Sequence, residues 1–471
     1  MEIELNQHNI FNHETLTRKR KVICAWGIYL IYFGMMLQAY ADPIVWPAFG
    51  LQQGYGNTYA ILLTVTSLFA GISTPIAAKC CTFLSKKHIY LTASVLYAIG
   101  CTAQAIPLPM AGVLFLRLLI GISIGFLFTS GFTLIGDIFP PEKRGFWIGA
   151  QGMVMGIASV ISSPLAGILN DLFSVKIMFF LSLPFFIAGF ILLIKFLPNI
   201  TGTEKIRSFD FKGAIFLSLG LGSFILLATF GEQWVGTRNL MAIALFILMV
   251  LSLSFFINFE RKTGKNGILP VSVVRSRNFL AITLSAFFST ASATFFYYCF
   301  SYYMLSYMNV TGLMTGITIS LQFVITLFFG PAFGSFLAKK GYLYQITGFA
   351  CLLMIAVYGW FALFVNMSTP LMQINIGMFL FGFYTLVITT SYTFAAQNYI
   401  DEQQRPYTIG SVQLAQSVGY CLTLAIITAC LNRFSNNIEV GYDIVYIISI
   451  VLTILTFIST LAIRPKGATK Q

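Results

Sequence analysis

From residue 22 onward the chain is a succession of apolar runs, each about as long as a bilayer is thick, separated by short polar elbows. A helix needs roughly 20 mostly apolar residues to cross the hydrocarbon core. In lipid every backbone N–H and C=O must be satisfied within the protein, which leaves helices or closed barrels. Continuous apolar runs, rather than alternating ones, select helices. The runs fall at 22–48, 57–78, 88–106, 109–135, 146–169 and 174–197, then 212–230 and 239–259. Six more follow at 278–306, 313–337, 343–365, 370–396, 408–431 and 442–463, which predicts 14 spans. The first run is too long for a signal-peptide core and has no clear cleavage site, so it is read as span one.

Charge supports this reading and excludes others. Charged residues are 9% of the chain, against roughly 25% in soluble domains. The net charge of +13 does not indicate nucleic acid, because the basic residues sit in short clusters between apolar runs. With the N-terminus in the cytoplasm, 24 of the 28 basic residues fall in cytoplasmic positions; Lys176, Arg238 and Arg433 fall outside and Arg117 within the membrane. The positive-inside rule then puts both termini in the cytoplasm. The eight cysteines lie mostly within apolar runs without metal-ligand spacing and read as small hydrophobes. His8 and His13 are in the tail and His88 borders a loop, so no metal site, triad or other catalytic set is expected. No Gly-rich loop ending in Lys-Ser/Thr is present, which argues against an ATP-driven pump.

The chain also repeats itself. At an offset of 261 residues, Gly121, Thr129, Ser130, Arg144, Ile148 and Gly149 recur as Gly382, Thr390, Ser391, Arg405, Ile409 and Gly410. The expected organisation is a tail (1–21), a six-helix bundle (22–200), linkers with an inserted helix pair (201–277), a second six-helix bundle (278–463) and a short tail (464–471), both tails cytoplasmic.

Met110 to Gly167 carries the motifs. Arg117, Gly121 and Gly125 stand four apart in one apolar run. A charged elbow from Asp137 to Arg144 follows, then a run with Ser159, Ser163, Pro164 and Gly167. These features resemble the major facilitator superfamily of secondary transporters. Its fourth-span pattern, Arg-x-x-x-Gly-x-x-x-Gly, is met in full. Its fifth-span antiporter pattern is met at Pro164 and Gly167, with Ser159 and Ser163 in place of glycines and Ile168 in the last place. Phe209 to Gly213 resembles the opening of the inserted pair in the 14-span drug:proton antiporter branch. The resemblance implies an all-α polytopic fold with Gly121, Gly125, Asp137, Arg144, Ser163, Pro164, Gly167 and Lys86 as conformational-switch positions. It also departs from the family: Cys81 stands where the loop after span two usually has the Asp that latches the cytoplasmic side, while Lys86 and Lys87 remain. Asp137 and Glu142 are candidate partners for these lysines.

Asp42 is the only carboxylate placed well inside a span. It lies about 31 Å along a helix from Lys21, and Arg117 about 12 Å below the start of its span at Pro109. The two are therefore expected at similar depth, facing one cavity and moderating each other's burial. A carboxylate removed from water holds its proton more tightly, and a neighbouring Arg loosens it again. Competition among proton, substrate and Arg117 for Asp42 is the expected coupling device. The plainer alternative is that Asp42-Pro43 opens an extracellular loop and Arg117 caps backbone carbonyls. The aromatic-rich stretch Phe295 to Tyr303, with Tyr298 and Tyr302, is either an interfacial belt or a cavity wall. Gln38, Gln322 and Gln413 are further cavity candidates, though hydrogen bonds within the bundle also account for them.

The expected function is proton-driven export of amphipathic or aromatic small molecules by alternating access. The protein would be a monomer in the plasma membrane, with lipid and substrate as its partners. The proton gradient is the energy source, with no cofactor, no metal and no nucleic acid. Uptake or facilitated passage of an anionic metabolite on Arg117 is the alternative within the same fold. A lipid-handling or sensor membrane protein is the alternative from another class.

Overall fold

In a computed structural model, residues 16–53, 59–139, 141–200, 211–234, 239–263, 275–340, 342–366, 368–400 and 405–464 are described. The tails beyond them and the linker segments 201–210 and 264–274 lie outside the described residues. Helices occupy each of the apolar runs, and no β-strand occurs among the described residues. The first set is α1 (Arg18–Gln53), α2 (Tyr59–Phe83), α3 (Lys86–Ala103), α4 (Met110–Ile138), α5 (Pro141–Leu172), α6 (Val175–Met178) and α7 (Leu183–Phe196). The inserted pair is α8 (Phe211–Trp234) and α9 (Asn239–Thr263). The second set is α10 (Arg277–Thr294), α11 (Phe300–Ser306), α12 (Gly312–Lys340), α13 (Leu343–Phe364), α14 (Leu371–Asn398), α15 (Arg405–Arg433) and α16 (Ile438–Leu461). Among the described residues, ten helices are individually long and apolar enough to cross a membrane.

The boundaries differ from the sequence expectation for local reasons. α5 starts at Pro141, because a proline at the first helical position has no N–H to lose, so the charged elbow becomes the first turn. Span six divides into α6 and α7, with turns at Phe179 to Ser182 and Pro184 setting the start of α7. Between α10 and α11 the chain makes a π-helical turn, Phe295–Cys299, in which the Phe300 N–H reaches back to the Phe295 carbonyl. α1 runs on through Pro43 and Pro47 to Gln53, so Asp42 is within a helix and not at the mouth of a loop.

Polar ties hold the helix ends. Arg20 Nε donates to the Phe196 carbonyl at 2.8 Å, and Asn278 Nδ2 to the carbonyls of Tyr399 and Arg464, both at 2.9 Å. α5 crosses α12 antiparallel, Gly167 on Gly312 and Gly156 on Leu327, which sets Arg18 and Arg464 at the same end of the molecule, the terminal end. At the opposite, distal end, one cluster of buried apolar side chains runs from Ala41–Phe49 of α1 and Ile61–Ile72 of α2 into the second bundle. A separate cluster, including Cys24, Tyr90, Leu134 and Leu193, fills the terminal half of the first bundle alone. α5 packs along α12, and α2 along α15, which joins the two bundles. α9 packs on α8, leaving Leu240, Phe246, Leu251 and Phe255 exposed, a surface suited to acyl chains.

Small residues set how closely the helices approach, since apolar helices in lipid gain little from hydrophobic burial against one another. A Cβ on Gly121 would lie 2.5 Å from the Thr66 carbonyl oxygen of α2, and one on Gly125 2.7 Å from the Ala70 carbonyl oxygen. The repeat is echoed at Gly382 of α14, where a Cβ would lie 2.4 Å from the Gln322 carbonyl oxygen of α12.

Candidate functional site

α1 presents Gln38, Asp42 and Trp46 four residues apart, hence on one helical face. α4 brings Arg117 to that face, held at short range from α2 by Gly121 and Gly125 one and two turns on. Arg117 Nη1 lies 3.0 Å from Asp42 Oδ2. It also donates to Thr66 Oγ1 of α2 at 3.5 Å, and Gln38 Nε2 donates to Asp42 Oδ1 at 3.5 Å. The guanidinium carbon sits 3.8 Å from the Trp46 ring centroid. A desolvated cation over an indole gains about 2 kcal/mol or more.

The pair is enclosed: the Arg117 side chain is 3% and the Asp42 side chain 11% exposed. The sequence places the two at one depth facing a cavity; the structure brings them together but within the first bundle, behind Trp46. Two charges this deep are retained at a cost unless attraction and hydrogen bonds offset their lost hydration. That offset is incomplete here. Arg117 Nε and Nη2, Trp46 Nε1 and Gln38 Oε1 are buried with no hydrogen-bond partner among the described residues. Orphan donors beside a lone acceptor are the arrangement that a buried water or a ligand group completes. The site can therefore hold a fixed cation against one titratable carboxylate and has capacity for further polar contacts.

The remaining candidates are distributed as follows. Lys86 Nζ lies 2.5 Å from Asp137 Oδ2, joining α3 to α4 near the terminal end. Lys87 Nζ donates instead to the Leu197 and Ile194 carbonyls at 2.6 and 3.1 Å. Arg144 and Glu142 are in the first turn of α5, and their side chains lie outside the described ones. Ser163 Oγ donates to the Tyr40 carbonyl at 2.8 Å and Ser162 Oγ to the Leu37 carbonyl, which ties α5 to α1 just before Pro43. Pro164 is inside α5, and Gly167 meets the backbone of Gly312 on α12.

The cavity candidates lie as follows. Gln322 is fully buried with no partner for either amide atom among the described residues, and Gln413 is half-buried on α15. Gln38 serves Asp42 rather than an open space. Tyr302 is 7% exposed, and Phe295, Phe296 and Phe300 are fully buried. Phe296 stacks on Tyr358 at 5.2 Å, and Phe295 meets Tyr446 edge-on at 4.9 Å. These rings form the distal core of the second bundle, so the stretch is neither belt nor open wall; the Tyr298 side chain lies outside the described ones. The π-turn adds a residue to one helical turn, a shift that apolar periodicity cannot reveal. Trp46 and Thr66 are the site residues the sequence reading missed. The four-residue spacing from Asp42 to Trp46 was the available signal for the first, masked by 16% aromatic content.

A family model for the Major Facilitator Superfamily matches residues 28–424. Multidrug transporter protein MdtP of Bacillus subtilis is 25% identical over 428 residues, 89% of this chain and 77% of that protein. Efflux pump roqT of Penicillium rubens is 29% identical over 268 residues, 53% of this chain and 46% of its own length. Riboflavin transporter RibZ of Clostridioides difficile is 22% identical over 368 residues, 77% of this chain and 76% of that protein. Among solved structures, a POT family transporter in complex with a thioalcohol conjugated peptide superposes with a TM-score of 0.71 at 14% identity, covering 93% of this chain and 96% of that one. That likeness is one of fold.

Proposed function

The chain belongs to the major facilitator superfamily, and from that premise we propose that it is a proton-coupled antiporter that exports amphipathic or aromatic small molecules by alternating access. It is a transporter by family; the coupling and the substrate class are the proposal. The observation that carries it is the buried Asp42–Arg117 pair, 3.0 Å apart with Trp46 over the cation. Among the described residues, Asp42 is the one carboxylate in this enclosure. Arg117 does not release its proton at working pH, so a charge change at the site falls to Asp42. Proton, substrate and Arg117 compete for the Asp42 carboxylate, so that protonation releases the substrate and substrate binding releases the proton. Relatives named as a multidrug transporter and an efflux pump support the export direction.

The proposal includes 14 spans, both termini in the cytoplasm, a monomer and the plasma membrane. Reporter fusions after residues 18, 205, 268 and 468 are expected to report cytoplasm, and fusions near 235 and 436 the exterior. A cytoplasmic signal at 235 removes the inserted pair from the membrane.

The test of substrate class is a binding screen of cationic, neutral and anionic aromatic amphipaths at two pH values on purified protein. Cationic and neutral compounds are expected to bind several-fold more tightly at the higher pH, where protons compete less for Asp42. A second reading, uptake of an anionic metabolite, is favoured by the two unpartnered N–H groups of Arg117 and by the riboflavin-transporter relative. Preferential binding of anions, strengthened at lower pH, selects that reading.

A further inference from the structure

We propose that Asp171 is the latch of the distal seam: its carboxylate caps the first turn of α12 across the boundary between the bundles and sets the balance between distal-closed and distal-open states. Asp171 is the second-last residue of α5, in the first bundle; α12 opens the other side of the seam. Its Oδ1 accepts from the Gly312 N–H at 3.0 Å and its Oδ2 from the Leu313 N–H at 2.8 Å. These are the first two helical residues of α12, whose N–H groups have no partner within their own helix. They also carry the positive end of the helix dipole. A carboxylate engaging two such groups through both oxygens makes charge-assisted hydrogen bonds, roughly twice as strong as neutral ones. Ser163, Gly167 and Asp171 stand four apart on α5 and so share a face.

Below the cap the seam is backbone on backbone. A Cβ on Gly167 would lie 2.2 Å from the Gly312 carbonyl oxygen, and one on Gly316 2.2 Å from the Ser163 carbonyl oxygen. Such a contact has no interlocked side chains to unthread, so the two helices can part by rigid-body motion. The strongest polar tie described across this crossing is the one at Asp171. At the terminal end, by contrast, the Lys86–Asp137 pair joins α3 to α4 within the first bundle and does not reach the second. Weakening the tie at Asp171 shifts the population toward the distal-open state.

The inference rests on the alternating-access reading, and its test needs neither substrate nor gradient, so the two stand or fall separately. Ser163 is fully buried in the seam, and the eight native cysteines are all buried or half-buried. Ser163→Cys in the full chain, held in lipid nanodiscs, is reacted with a small water-soluble maleimide and read site by site by mass spectrometry. Adding Asp171→Asn, which keeps the shape and removes the charge, is expected to raise the labelling rate of the introduced thiol about ten-fold, the equivalent of 1.4 kcal/mol. Asp171→Ser, which keeps a single acceptor, also raises it and serves if the first variant does not fold. Rates within two-fold of the parent in the folded variants overturn the proposal.

Discussion

Replacing Asp42 with Asn abolishes pH-gradient-driven accumulation in membrane vesicles while leaving passive exchange of the same compound. Asn keeps the shape and an oxygen toward Arg117 but takes no proton in the working range. The variant also carries a stability cost, because the Arg117 charge then lies buried without its counter-charge, and breaking such a pair costs about 3–5 kcal/mol. Asp42→Asn with Arg117→Gln removes both charges and is expected to recover most of that stability without recovering uphill transport. This double variant separates coupling from folding. Uphill transport by folded Asp42→Asn at the parent rate places the coupling group elsewhere, with Asp137 the next candidate.

Gly125→Val is expected to give the largest loss of folded protein of any single change in the first bundle. Its Cβ would lie 2.1 Å from Ser73 Oγ, 2.7 Å from the Ala70 carbonyl oxygen and 2.8 Å from the Thr74 nitrogen. The serine hydroxyl can turn away, but the two backbone atoms cannot, so α2 and α4 must part and carry Thr66 away from Arg117. Overpacking typically costs about 1–3 kcal/mol and more where backbone must move. Gly330→Ala is the control, since a Cβ there meets nothing within 4 Å. Yield and melting temperature in detergent should fall for the first and hold for the second. Equal behaviour of the two contradicts the close-packed reading of α2 on α4.

Much of this arrangement was legible in the residues. Helix rise alone put Asp42 and Arg117 at one depth, and the spacing of Gly121 and Gly125 marked where α4 lies against a neighbour. What the sequence left open was direction around the helix. Asp42-Pro43 also reads as a loop opening, because proline removes a backbone donor. Within the fold the helix continues past it, with Ser162 and Ser163 of α5 donating to α1 carbonyls one turn earlier. Trp46 is one aromatic among 47 phenylalanines, 22 tyrosines and five tryptophans, so only its contact with Arg117 distinguishes it. Phe295, Phe296, Phe300, Tyr302 and Tyr303 are buried at and just after the π-turn, a backbone feature with no residue signature. Asp171 was overlooked because it sits at a helix end, where a carboxylate is ordinary; its partner amides belong to a helix 141 residues further along the chain.

Proton counting during substrate movement is the most direct test of the central claim. The purified protein is reconstituted in liposomes with a pH-sensitive dye in the lumen, and a planar cationic amphipath is added outside under an imposed pH gradient. The predicted result is a substrate-dependent proton flux opposite in direction to the amphipath, absent in Asp42→Asn. Substrate movement without proton flux, or the same flux in Asp42→Asn, contradicts it.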